Sequence, residues 1–230
     1  RNGSNLLVSK QVALSVGSTA VRVGALQLVQ GSSCSPSWLP TFGQSPGVDG
    51  DIHALTVFDD GGGPALYAGG LFTIAGGGVA KRVAKWNGTS WSALGSGLDG
   101  HALSLTVFDD GGGPALYAGG GFTTAGGGVA NHIAKWNGSS WSALGSGLNS
   151  TVASLTVFDD GGGPALYAGG SFTTAGGGTA NRIAKWNGSS WSALGSGLDN
   201  AVRALTVFDD GDGPALYSGG QFSTAGGGAA

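Results

Sequence analysis

A unit of 50 residues repeats along this chain almost letter for letter. The run Leu105-Thr-Val-Phe-Asp-Asp-Gly-Gly-Gly-Pro-Ala-Leu-Tyr-Ala-Gly-Gly120 recurs nearly unchanged at 55–70, 155–170 and 205–220. Phe58, Phe108, Phe158 and Phe208 keep one interval, and Tyr67, Tyr117, Tyr167 and Tyr217 keep the same one. Near-identical tandem units fold alike, and each buries its apolar face against its neighbours. The runs between glycine clusters are short and rich in β-branched and aromatic residues, with no helical period, so they read as strands. Short strands at a period of about 50 are the signature of a β-propeller blade, and the fold class expected is all-β.

Each unit divides into four strands. In 51–100, strand a is Ala54–Phe58, and Asp59-Asp-Gly-Gly-Gly-Pro64 turns the chain. Strand b is Ala65–Ala68, closed by Gly69-Gly70, and a Gly-rich connection runs from Leu71 to Gly78. Strand c is Arg82–Trp86, Asn87-Gly88 is expected as a type I′ turn, and strand d is Trp91–Leu94. Blades 101–150 and 151–200 repeat this, while 201–230 supplies strands a and b only.

Residues 1–50 depart from the pattern. Leu6–Val16 and Ala20–Val29 alternate like strands. Ala25-Leu-Gln-Leu-Val-Gln-Gly31 matches Arg82-Val-Ala-Lys-Trp-Asn-Gly88, and Ser37-Trp-Leu-Pro40 matches Ser90-Trp-Ser-Ala93. Residues 20–42 thus read as a degenerate second half of a blade, able to complete the half-blade at 201–230 and close a ring of about four blades. Residues 1–19 read as an extra strand or a partner-seeking arm; if they form strands a and b, the count rises towards five.

Composition sets the outer limits. With 49 Gly and 7 Pro the chain would read as low complexity, were the glycines not fixed within the period. A net charge of −3 with 10% charged residues leaves no basic stripe for nucleic acid and little repulsion against self-association. Cys34 is the one cysteine, which excludes an intrachain disulfide and a cysteine-rich metal cluster. The absence of Met leads to the expectation that a chain beginning at Arg1 is processed or partial. No apolar run approaches the ~18 residues of a membrane span. Asn2, Asn87, Asn137, Asn149 and Asn187 each open an Asn-x-Ser/Thr sequon, a weak pointer to secretion or the cell surface, because Asn-Gly is also a favoured turn pair.

Leu66-Tyr-Ala-Gly-Gly70, Val83-Ala-Lys-Trp-Asn-Gly88 and Trp91-Ser-Ala-Leu94 together resemble a kelch repeat. Gly69-Gly-Leu-Phe-Thr-Ile-Ala-Gly-Gly77 and Ala180-Asn-Arg-Ile-Ala-Lys-Trp-Asn-Gly188 are more similar to the Gly-Gly-x-Phe-Thr-x-Ala-Gly-Gly repeats of secreted bacterial propellers, and to repeats of the fungal Rax-type cortical polarity-marker surface proteins. The likeness covers about 51–230. It implies the propeller fold and cell-surface, extracellular or scaffold roles, usually without catalysis.

The chemistry-bearing residues favour binding. His53, His101 and His132 occupy different places in the repeat, and nothing assembles a nucleophile around one of them. Asp59-Asp60 and its copies are adjacent turn residues rather than carboxylates across a cleft. Asp210-Gly-Asp212-Gly213 lacks the later acidic ligand of a calcium loop. No metal, cofactor or catalysis is expected. Trp86/Trp91, Trp136/Trp141 and Trp186/Trp191 flank the c–d turn and read as cross-strand braces; a row of sugar-stacking platforms is the alternative. Blades 101–150 and 151–200 differ in or beside the d–a and b–c connections only, at positions held in the first by His101, Ala102, Leu103, Gly121, Val129, His132, Asn149 and Ser150. Those connections share one face of a propeller, which makes these residues the candidate binding face. The expected role is a non-enzymatic extracellular scaffold that binds protein partners or copies of itself. The alternative is a multivalent glycan-binding propeller.

Overall fold

In the computed structural model the described residues are 14–16, 19–21 and 47–229, and every regular element among them is a strand. The first sheet runs Asp51–Asp59, Pro64–Leu71, Val83–Trp86 and Trp91–Ala93, antiparallel and in chain order. Ala102–Asp109, Pro114–Gly120, Ile133–Trp136 and Trp141–Ala143 form the second, and Val152–Asp159, Pro164–Gly170, Ile183–Trp186 and Trp191–Ala193 the third. Val202–Asp209 and Pro214–Gly220 make a two-stranded fourth. These are the blades of a β-propeller. Strand a of each blade packs on strand a of the next, so the first strands line the inside of the arc and the d strands its rim.

Both faces of the second and third sheets are covered by neighbouring blades, which explains why their strands lack a polar side. Residues 115–120 are buried without interruption. Phe58, Ala65, Tyr67 and Val83 of the first blade interlock with Ala102, Leu105, Leu116, Ala118 and Trp136 of the second. One repeat later, Phe108, Ala115, Tyr117 and Ile133 meet Val152, Leu155, Leu166, Ala168 and Trp186. The joint is close enough to demand glycine: a Cβ on Gly119 would lie 2.6 Å from Val152 Cγ1. A hydrogen bond crosses the same joint, from Leu155 N–H to Ser104 Oγ at 2.9 Å.

Several elements differ from the sequence expectation. Strand a extends to Asp51 because a bulge between Ile52 and Ala54 lets the ladder continue past His53. Strand b takes in Gly69 and Gly70, which pair with Ala54 and Ile52. The Leu71–Gly78 connection is not plain loop. Ile74–Ala75 pairs with Gly78–Val79, and Gly76 and Gly77 at φ 61° and 80° provide the two left-handed positions of a tight hairpin. Asn87-Gly88 is correspondingly not a two-residue type I′ turn. Trp86 pairs with Trp91 across a longer loop, and the Asn87 side chain accepts from Thr89 N at 2.9 Å and Ser90 N at 2.8 Å. That Asx arrangement needs the wider loop. Strand c starts at Val83, one residue late, because Arg82 stands in the left-handed region at φ 67°, as do His132 and Arg182 at 64° and 66°.

Among the described residues, the outward faces of the first and fourth sheets have no neighbouring blade. Leu55 is 54% exposed where Leu105 and Leu155 are 8% and 7%. Phe208 is 57% exposed where Phe108 is 4%. The assignment of 20–42 to strands c and d, the ring closure built on it, the arm at 1–19 and Cys34 lie outside the described residues, apart from one short hairpin that pairs Leu14–Val16 with Thr19–Val21.

Candidate interaction face

The disc has two unlike faces. One carries the a–b and c–d turns, and its polar groups satisfy each other. Asp59 Oδ1 accepts from Gly61 N and Gly63 N, both at 2.9 Å, and so closes the turn. Its neighbour Asp60 binds Lys85 Nζ at 2.6 Å and accepts from the Tyr67 hydroxyl at 2.7 Å. The two carboxylates therefore have separate structural tasks. Burial pushes the Asp60 carboxyl up, but Lys85 and Tyr67 outweigh it and hold it below the usual range. The exposed copy, Asp160, is held at about 2 by its bonds from Lys185 and Tyr167. Burial and then the adjacent Asp60 raise the Tyr67 phenol. The c–d turns of the second and third blades rest on the a–b turns of the blades before them, with Gly138 against Asp60 and Gly188 against Asp110.

The other face carries the d–a links and the b–c hairpins. Each of the three links between described blades is stitched to both: Leu98 N donates to Lys81 O behind it at 3.1 Å, and Asp99 N to Thr124 O ahead of it at 3.3 Å. The Asp99 carboxylate then receives Thr123 N at 2.8 Å, Thr123 Oγ1 at 2.7 Å and Thr124 N at 2.9 Å. Asp49 and Asp199 repeat this arrangement. Asn149 does so as an amide, accepting the same two backbone N–H groups and donating Nδ2 to Thr173 Oγ1 at 2.9 Å. The Asp49 carboxyl is lowered to about 2 by its bonds from Ile74 and Thr73.

Open grooves lie between blades on this face. One of about 300 Å³ is lined by Asn131, His132, Gly147, Leu148, Asn149 and Thr174. The next, of about 350 Å³, has Asn181, Arg182, Gly197, Leu198, Asp199 and Thr224 in the same places. A shared backbone frame thus presents His with Asn in one groove and Arg with Asp in the next. Burial lowers the His132 pKa, against the opposing pull of the Gly120 carbonyl. At neutral pH its groove carries no formal side-chain charge.

The predicted residues spread over this face unevenly. His132 and Asn149 share a groove, with Ser150 half-buried beside it. The His101 ring fills the space over Gly121, where a Cβ would lie 2.5 Å from it. Leu103 is the bulge residue, skipped by the ladder between Ala102 and Ser104; its counterparts are His53, Ala153 and Arg203. Val129 stands 74% exposed on the b–c hairpin. Ala102 is fully buried, with its Cβ packed over Gly69 of the preceding blade, and has no surface to present. Sequence comparison of the second and third blades missed Asn131, since Asn181 is identical; the first blade, with Lys81 in that position, carried the signal.

The tryptophan pairs act across blades as well as within them. Trp136 and Trp141 lie 5.3 Å apart at 50°, and Trp141 Nε1 donates to Leu94 O of the preceding blade at 2.9 Å. Trp191 does the same to Leu144 O at 3.0 Å. Trp136 and Trp186 are buried, so neither offers a ring face for a sugar.

Residues 37–212 match the family model of the Rax2 C-terminal beta propeller domain. The chain belongs to that family. The Rax2-type match takes in all three four-stranded blades and the first strand of the fourth sheet. No curated protein and no solved structure matches the chain. Among the described residues of this Rax2-type propeller, no helix is long and apolar enough to cross a membrane.

Proposed function

We propose that this Rax2-type propeller is a non-enzymatic, secreted or cell-surface scaffold that binds protein partners through the face of d–a links and b–c hairpins and takes part in structural self-assembly. The observation that carries the reading is the contrast between the faces. The turn face repeats one saturated Asp–Lys–Tyr network, whereas successive grooves on the link face keep one frame and change its side chains. A binding surface with variable specificity on a fixed scaffold has this organisation. The kelch-like Gly-Gly pairs and the exposed sequon residues Asn87, Asn137 and Asn187 support an extracellular scaffold.

Immobilised protein is tested against the surface proteins of the source cell. Retention lost in H132A, N149A and V129D but kept in S139A, on the opposite face, supports the reading; retention indifferent to all four sinks it. The repetition of equivalent polar grooves favours one alternative, weak glycan sites acting together. A glycan array with binding that disappears on single-groove substitution would favour that alternative.

A further inference from the structure

Most cations of the described residues are engaged by the protein itself. Lys85, Lys135 and Lys185 are bound to Asp60, Asp110 and Asp160. Arg182 donates Nη1 to the carbonyls of Ser171 and Phe172, and Arg203 donates to Gln221 Oε1 at 3.3 Å. Lys81 and Arg82 are left over: among the described residues, neither side chain has a hydrogen bond or an ion pair.

The two are adjacent, in the wedge between the first and second blades on the link face. Leu98 N donates to Lys81 O at 3.1 Å, and Gly126 N of the second blade to Gly97 O at 2.8 Å. The same bonds recur from Leu148 to Asn131 and Gly176 to Gly147, and from Leu198 to Asn181 and Gly226 to Gly197. Lys81 and Arg82 therefore hold the places that Asn131 and His132, and Asn181 and Arg182, hold in the next two grooves. In those grooves the side chains are tied down. Asn131 and Asn181 donate Nδ2 to Ser146 O and Ser196 O, both at 3.0 Å, and His132 Nδ1 lies 3.3 Å from Gly120 O. The first groove alone puts unpaired cations where the others put satisfied groups.

Backbone conformation singles out the same position. Arg82, His132 and Arg182 have φ in the left-handed region, and every other described residue with positive φ is glycine. Glycine would relieve the strain there. At Arg182 the bonds to two carbonyls offset it; at Arg82 nothing within the molecule does. Against the two cations stands one carboxylate, Asp99, which already receives three hydrogen bonds, so the groove is net positive. Val129, paired with Thr124 on the far wall, and Val79, two residues before Lys81, are both well exposed.

We propose that Lys81 and Arg82 form an anion-recognition site for an acidic segment of a partner protein, seated between the first two blades. Carboxylate side chains of the segment pair with the two cations, Arg82 offering a fork of parallel donors and Lys81 a point charge. Aliphatic neighbours in the segment lie against Val79 and Val129, contacts that an acidic polysaccharide has no side chains to make. The proposal rests on the reading of the link face as the one that binds partners, and names where on it charge is recognised.

The test is fluorescence anisotropy with the full chain and a labelled peptide alternating leucine and glutamate. Its leucine–glutamine counterpart and polygalacturonate are the comparisons. The acidic peptide should bind about tenfold or more tightly than the glutamine one, and less well as salt rises from about 0.05 to 0.5 M. K81N/R82H gives the first groove the side chains of the second; it should lose affinity about tenfold at an unchanged melting temperature, since neither side chain has a partner to lose. R182Q should keep the affinity. The proposal is overturned if the acidic peptide does not bind, if K81N/R82H binds it like the parent, if the glutamine peptide binds equally, or if polygalacturonate binds more tightly through the same two residues. Retention of surface proteins lost in H132A and N149A, with peptide binding intact in K81N/R82H, would sink this site and leave the binding face standing, so the two readings fail separately.

Discussion

Replacing Trp191 by Phe should destabilise the protein more than replacing Trp186 by Phe, although the two indoles sit 5.3 Å apart across one hairpin. Each substitution deletes the same atoms, and the packing lost is comparable, about 1 kcal/mol. The nitrogens differ. Trp191 Nε1 donates to Leu144 O at 3.0 Å, whereas the buried Trp186 Nε1 has no hydrogen-bond partner. W191F removes that bond but leaves the Leu144 carbonyl accepting from Gly147 N at 3.1 Å, so the loss is that of one hydrogen bond, about 0.5–1.5 kcal/mol. W186F removes a buried donor whose desolvation nothing offsets, and recovers part of its packing loss. The gap between the variants should be about 1 kcal/mol, which for a chain of this size is about 2–4 °C in melting temperature. Thermal unfolding followed by circular dichroism measures it. Equal melting temperatures, or W186F melting lower, would refute the view that Trp191 ties its blade to the preceding one through that bond.

Asp99→Asn should change stability by less than about 0.5 kcal/mol, because Asn149 fills the same role, while Asp99→Ala should cost about 1–2 kcal/mol through the loss of three hydrogen bonds; urea titration of both separates a hydrogen-bonding role from a charge role. Asp49, Asp160 and Asp199 have folded values of about 2 against an ordinary 3.8. Their contribution is complete above the ordinary value and lost as pH falls towards 2, so melting temperature should drop across that window, and a flat profile there would contradict the pinning of the b–c hairpins by Asp49 and Asp199 and the Lys185–Asp160–Tyr167 network alike. Gly119→Ala should cost about 1–3 kcal/mol by overpacking against Val152, whereas Gly219→Ala in dilute solution should lie within about 0.5 kcal/mol of the parent; similar losses in both would mean that the joint does not require the glycine.

The strand content was legible because each blade carries its own punctuation. Asp59 to Pro64 marks a turn by its residues alone, and the glycine–apolar alternation leaves room for strands and little else. The hairpin at 74–79 was not legible: its strands have two residues each, too few for any period, and its turn lies inside a longer glycine run. The bulge at Leu103 also escaped notice, because nothing in Ala102-Leu-Ser104 distinguishes a paired residue from a skipped one. At the candidate face, comparing blades found His132 and Asn149, since surface change is cheap where backbone does the structural work. The same comparison put Ala102 among them, because an alanine beside a variable loop looks exposed until Gly69 is seen against it. The part of Asp99 in fixing Thr123 and Thr124 lies 24 residues downstream, beyond what local pattern conveys. Trp141 read as a brace within its blade, and its bond to Leu94 needed the neighbouring blade in view.

The stitched d–a link gives the chain a modular copy number. The links at 98–99, 148–149 and 198–199 make their bonds to the blade behind and the blade ahead with backbone groups that recur in register. Excising 101–150 would join Asp99-Gly100 to Thr151, and Asp99 would meet Thr173 and Thr174 in the positions it now finds at Thr123 and Thr124. Val152 would enter the space over Gly69 as it now enters that over Gly119, with one methyl pair more than Ala102. No joint of a new kind would have to be packed. Inserting another unit would be just as neutral for each contact, so the number of blades can change by whole repeats while the local structure of every blade stays as it is.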